Sequence, residues 1–418
     1  MSIRPNQKKG IRYMKELRNK QFSPVESAVI SLLANALFDV PYPGSVEADL
    51  DLVLEEAEKQ AVFPYVYRSL SQQDGNRLNP KWKIRFQKHL ANNLNVFGQH
   101  YLAHELMTEA GIPYTIIKGC ASGQYYAVPE LRTMGDVDLY VGKDSMEAVR
   151  SFLTDKGFAV SNLDHSHHWT FTKDRVEFEV HWLPSGVPAE DDGKIRSRFD
   201  DLLEKRTLFE TERGSMYLPD AFHHGLILLL HTANHLSAGG IGLRHLMDWL
   251  VFVFSMPEEK FCAQFEDALN QMGLWQFAKV LTAVGVHFFG CAQRAFCKDV
   301  SSELAGSILA DIFAGGNFGV KDGKRLMESK LLRDEKTREI DGRSGFRHMI
   351  RFLNRKAQLA LPITEKVPVL LPVGWIKVGI KYRKSGKHIS GEPVKLRELA
   401  QSAKEREKLY KQLRLFEE

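Results

Sequence analysis

The 418-residue chain has little cysteine, no long apolar run, no internal repeat and no low-complexity tract. Each shortage removes a class of protein. The four cysteines, Cys120, Cys262, Cys291 and Cys297, stand at no zinc-knuckle spacing, and a chain of this size builds a core without disulfides. Reduced, buried thiols in a cytoplasmic protein are the expectation. The strongest apolar bursts, Leu226–Leu230 and Leu250–Phe254, fall far short of the roughly 18 residues that cross a bilayer, so no transmembrane segment is expected. The first residues carry positive charge with no apolar stretch behind it, which argues against a secretory signal. Gly-x-Ser-x-Gly is absent, and no Ser-His-Asp arrangement suggests itself.

What is present is an ordinary globular composition, 44% apolar and 26% charged, over a length suited to two or three domains. The net charge of +5 is unevenly placed. From Trp375 onward twelve Lys or Arg face six Glu, so the tail carries the whole positive excess and the rest is close to neutral. Such a tail suits an acidic partner, a phosphorylated substrate or RNA, and equally suits a solvated helix of mixed charge. Its aromatics, Tyr382, Tyr410 and Phe416, are too sparse for a single-strand stacking platform.

The apolar spacing predicts helices over 24–38, from about 46 to 70 with a break near Pro64, and over 82–110. Ser23, Pro24 and Glu26 form a capping box with proline at the first helical position, and Gly111 ends the third helix. The texture changes at Ile112. Strands are predicted over 114–117, 137–141, 158–161, 169–172 and 176–182, the last two as a hairpin, with helices over 120–128 and 145–156. Helical patterns resume at 222–236, 243–254, 258–290, 301–314, 345–358 and 394–416. Pro362, Pro368 and Pro372 exclude a single regular helix across 361–375. The fold class is therefore α+β: a small mixed sheet at 111–217, an N-terminal helical region at 1–110, a helical domain at 218–360, and a connector with a basic tail at 361–418.

Three short segments carry chemistry: Lys118-Gly119 after a strand, Arg132 to Asp138 leading into a strand, and Glu177-Phe-Glu179-Val-His181 within a strand. Residues i and i+2 of a strand share a face, so Asp136 and Asp138 project together while Val137 and Leu139 enter the core. Paired carboxylates repel unless a cation neutralises them, and Mg2+ prefers such oxygens together with substrate phosphates. Glu177, Glu179 and His181 also share a face, and any of them could reach the pair. Gly119 lets a strand-to-helix turn approach phosphate closely, Ser122 could add a hydroxyl, and Lys118 and Arg132 would offer charge to the β- and γ-phosphates.

Gly111-Ile-Pro, Lys118-Gly119, Tyr125-Tyr126, Arg132 and Gly135-Asp136-Val-Asp138-Leu, followed by Glu179-Val-His181-Trp182, resemble a bacterial nucleotidyltransferase family of the DNA polymerase beta superfamily. The resemblance covers roughly residues 45 to 255 and extends to the helices holding Glu55, Pro64, His231 and Asp248. It implies a polymerase-beta-like core, two Mg2+ (or Mn2+) ions and a nucleoside triphosphate donor, with ATP expected first. It makes Glu179, rather than Glu177, the third carboxylate beside Asp136 and Asp138, and Gly119 part of the phosphate turn. The chain departs from the superfamily where Cys120-Ala121 follows Gly119, and where Glu replaces the commoner Asp as third carboxylate.

The expected activity is transfer of a nucleoside monophosphate to a hydroxyl acceptor: a small molecule, a protein or an RNA end. A non-catalytic nucleotide- or nucleic-acid-binding protein on the same fold is the rival. His181 is a further candidate for substrate contact. His165, His167 and His168 read as a polar loop, His231 and His235 as core or interdomain histidines, and Arg244 with Asp248 as an i,i+4 helix ion pair.

Overall fold

A computed structural model describes residues 14–322 except 43, 164–166, 185, 189, 190 and 192, together with 325, 361, 371–372 and 396–416. It is an α+β protein with a small mixed sheet and helices at both ends. The predicted helix at 345–358 and most of the proline-containing connector lie outside the described residues.

Helix α1 (Pro24–Leu37) starts where the capping box places it: the Ser23 hydroxyl accepts from the Glu26 amide, and the Glu26 carboxylate accepts from the Ser23 amide. Such a cap contributes about 1 kcal/mol. Helices α2 (Leu50–Lys59) and α3 (Phe63–Gln73) replace the single broken helix expected across this stretch. The break falls at Ala61, whose φ is +57°, and Pro64 lies in the first turn of α3. Proline therefore starts the second helix, where its missing N–H costs nothing. Helix α4 (Lys81–Glu109) runs almost as predicted and closes at Gly111.

The five-stranded sheet contains β1 (Tyr114–Ile116), β2 (Val137–Val141), β3 (Ala159–Ser161), β4 (His168–Lys173) and β5 (Val176–His181), in the order β1-β2-β5-β4-β3. Only β2 and β5 run parallel. Between β1 and β2 lies a one-turn helix α5 (Cys120–Gly123), and between β2 and β3 lies α6 (Met146–Asp155). Val137, Leu139 and Val141 join Phe178 and Val180 on one face, packed with Val96, Ala103 and Met107 of α4 and Val149 and Leu153 of α6. Alternation then turns Asp138, Glu179 and His181 to the other face. A separate hairpin of β6 (Thr207–Thr211) and β7 (Gly214–Leu218), which periodicity did not indicate, packs beside β1.

The second core is helical. It unites α1–α3 with α7 (Ala221–Ala238), α8 (Leu243–Phe254), α9 (Glu258–Gln271), α10 (Trp275–Val284) and α11 (Ser302–Gly315). The last helix, α12 (Leu396–Leu413), docks on it: Leu413 is fully buried, Tyr410 donates to the Leu236 carbonyl (3.0 Å), and Arg406 sits beside Asp311. Among the described residues, no helix is long and apolar enough to cross a membrane.

Candidate active site

The turn after β1 has no room for a side chain. Gly119 adopts φ 56° and ψ −107°, a region open to glycine, and a Cβ there would stand 2.6 Å from His100 Nε2. His100 is wholly buried in α4, with Nδ1 2.8 Å from the Val96 carbonyl and Nε2 without a hydrogen-bond partner. Burial pushes its pKa down to about 4, so the ring is neutral and Nδ1 is the nitrogen that donates. Sequence reasoning missed His100, because nothing in α4 signals which turn rests on the glycine. Ser122 lies within α5 and is buried.

Parallel pairing then assembles the acidic cluster. Asp138 of β2 is the register partner of Glu179 of β5. The ligand atoms of Asp138, Glu179 and His181 all lie within 4.8 Å of one another. His181 Nε2 is 2.9 Å from Asp138 Oδ1 and 3.4 Å from Glu179 Oε2, and Lys118 Nζ is hydrogen-bonded to the same Asp138 oxygen. Burial alone would push the Asp138 carboxyl up; the Lys118 charge and the His181 hydrogen bond override it and hold the group far below the usual carboxylate range. The same His181 hydrogen bond lowers Glu179 against its own burial. Asp136 stands on the exposed rim, outside this close group. Partial desolvation, then the charges of Asp138, Glu179 and Glu177, push its carboxyl upward. Negative charge at the rim is thus incompletely balanced.

Arg132 is placed differently from expectation. Its guanidinium is buried and forms a bidentate pair with Asp248 of α8, Nε to Oδ1 at 2.7 Å and Nη2 to Oδ2 at 2.6 Å, while Tyr126 donates to the same carboxylate at 2.7 Å. Burial opposes its charge, but Asp248 overrides that and keeps it protonated. The side chain anchors the segment before Asp136 to the helical core. Asp248 is consequently not the partner of Arg244, as i,i+4 spacing suggested. Arg244 instead reaches the Thr133 carbonyl (3.3 Å) and lies over the Phe318 ring.

A model of the uncharacterised nucleotidyltransferase family matches residues 46–290. The chain belongs to that family. No curated protein matches it. The match spans the sheet, the acidic cluster and the helices α7 and α8 behind it, so nucleotidyl transfer is the activity class of this nucleotidyltransferase.

The first residue of β4, expected in a polar loop, and the one before it bring more histidine to the nucleotidyltransferase site than the sequence indicated. His168 Nε2 is 3.8 Å from Glu179, and the rings of His167 and His168 lie 5.9 and 4.8 Å from that of His181. His165 is outside the described residues. On the helical side, His235 of α7 feels the charges of Lys118, Asp138 and Glu179, and burial holds its pKa at about 4. Burial likewise holds His231 and His245 well below the ordinary imidazole value.

Proposed function

We propose that this protein transfers a nucleoside monophosphate from a nucleoside triphosphate, ATP first among candidates, to a hydroxyl acceptor, with Asp136, Asp138 and Glu179 as its working carboxylates. One observation carries the reading: the parallel β2–β5 register sets Asp138 beside Glu179, with Lys118 supplying the positive charge that a cation would. The donor chemistry fits a divalent ion, since two strand carboxylates and a rim carboxylate offer hard oxygens and Asp136 carries repulsion that Lys118 only partly offsets. Mg2+ or Mn2+ held by Asp138 and Glu179, with Asp136 beside them, would neutralise the triphosphate and promote ionisation of the attacking hydroxyl.

The chain's own groups do the remaining work. His181 orients both carboxylates, and Glu179, kept ionised by it, takes the acceptor proton. The acceptor oxygen bonds to the α-phosphorus as the bridge to pyrophosphate breaks. Lys118, freed from Asp138, engages the phosphates as a point charge. The Gly119 backbone forms the close wall of the triphosphate pocket. Arg132 acts through Asp248 as a positioning residue. The region 218–360 and the tail at 375–418 select the acceptor, a phosphorylated molecule or nucleic acid being favoured by the excess of Lys and Arg.

Calorimetric titration with ATP, CTP, GTP and UTP in Mg2+ tests this. Mg2+-dependent binding of at least one nucleotide is expected, lost in the Asp136→Asn/Asp138→Asn protein. Folded wild-type protein that binds none of the four would remove the proposal.

A further inference from the structure

Helices α7 and α8 meet behind the acidic cluster, and three histidines converge there. His231 and His235 are one turn apart on α7, and His245 opens α8. Their ring centroids are 4.2, 5.8 and 5.6 Å apart, and one nitrogen from each lies within 4.8 Å of the others. His245 is buried and His231 and His235 are half-buried at the edge of a core of Leu and Phe, an odd use of that space. His231 Nδ1 and both nitrogens of His245 are buried without a hydrogen bond. The Gly242 backbone lies near enough to the His245 ring to favour its charged form, though not in hydrogen-bond geometry. An unpaired buried polar group costs about 1–3 kcal/mol, so three such atoms in one cluster need a reason.

We propose that His231, His235 and His245 form a second metal site, for a borderline-soft divalent transition ion such as Zn2+, distinct from the carboxylate site. Three imidazoles suit such an ion and are poor ligands for Mg2+. Bonds of about 2.1 Å in tetrahedral geometry need nitrogens about 3.4 Å apart, so the rings must close by less than about 1.5 Å. An i,i+4 pair on one helix with a single ligand from its neighbour is a spacing that suits such a site. Three protein ligands leave one position for water or a substrate oxygen. Phe318 covers the cluster, its ring 4.7 Å from His235 and 5.3 Å from His245, although it is 42% exposed and holds φ at 56°. A large apolar side chain kept in solvent at positive φ is costly, and shielding a site beneath it is a sufficient cause. His235 feels Lys118 and Arg244 ahead of Asp138 and Glu179, so an ion here would add to positive potential already on this side of the acidic cluster.

This inference does not depend on the proposed transfer reaction, because its readout is metal alone. Full-length protein is stripped with chelator and titrated with Co2+, whose visible absorption reports a low-coordinate nitrogen site. One Co2+ per chain with that absorption is expected. His235→Gln and His231→Gln should each weaken it more than tenfold. Asp138→Asn and Glu179→Gln should leave it intact, and so should His181→Gln, which disables the neighbouring His167–His168–His181 group. Absorption that follows His181 and ignores His231 and His235, or no Co2+ uptake at all, would overturn the proposal. Should the α7 variants fail to fold, X-ray absorption on the Zn2+-loaded His181→Gln protein decides: a shell with three imidazoles supports the site, and an oxygen-dominated shell removes it.

Discussion

Arg132 and Asp248 are each almost fully enclosed, so neither charge can be removed alone without stranding the other. Breaking a buried pair from one side costs about 3–5 kcal/mol, whereas replacing both members by apolar groups of similar volume is often neutral. Asp248→Ala should therefore lower unfolding stability in urea by about 3–5 kcal/mol, and Arg132→Met/Asp248→Leu should recover most of it. The Tyr126 hydroxyl, which loses its acceptor in both variants, limits that recovery. A double variant no more stable than Asp248→Ala would mean that the pair is not what anchors the segment before Asp136. Gly119 makes a second case at this scale. Alanine there would meet both a positive φ and the His100 ring, which is wholly buried. Gly119→Ala should cost on the order of 2–3 kcal/mol and impair nucleotide binding beyond that loss. Nucleotide binding equal to wild type would show that the Lys118-Gly119 turn lies outside the phosphate site.

At the scale of elements, the strands and helices were legible because their periods and punctuation are local. Ser23 with Glu26, Gly111 and the 173–175 turn each settle their boundary by chemistry within four residues. The β6–β7 hairpin was not legible: Phe209, Met216 and Leu218 are too few and too interrupted by charge to show an alternation. Nor could the Arg132–Asp248 pair be found, since 116 residues separate its members while Arg244 offered itself four residues away. The pairing of β2 with β5 is what gives the acidic face its third carboxylate, and it makes a sharp prediction. Glu179 is opposite Asp138, whereas Glu177 lies beyond the end of that ladder, opposite Thr172 on β4, and is exposed. Once a nucleotide and acceptor are identified, Glu179→Gln should reduce turnover at least 100-fold. Glu177→Gln should change it by less than about threefold, its charge acting only at distance. The reverse result would place the working strand one pleat out of register.

At the scale of the molecule, the positive tail read from charge count as an arm for acidic partners, yet its described end is built into the core. Arg406, Tyr410 and Leu413 face inward on one side of α12, a pattern visible as helical spacing but silent about what it covers. Histidine is the other global property that composition understated. His100 in the sheet core and His224 in the helical core are both wholly buried, and burial lowers each to about 4 from an unfolded value near 6.5. Between those values the unfolded chain binds protons that the native protein refuses. Stability is therefore fully present above about pH 6.5 and falls as pH drops toward 4, by on the order of 3 kcal/mol for each ring. His224 is the better probe, since its ring stacks on Tyr125 at 5.1 Å and packs against Phe252, and neither ring nitrogen makes a hydrogen bond. Phenylalanine fits that stacking and cannot titrate. Urea midpoints at pH 7 and pH 4.5 should accordingly draw closer together in His224→Phe than in wild type, by roughly the contribution of one buried histidine. Equal acid sensitivity in the two proteins would mean that His224 gains a proton in place, and that the helical core admits enough water to solvate it.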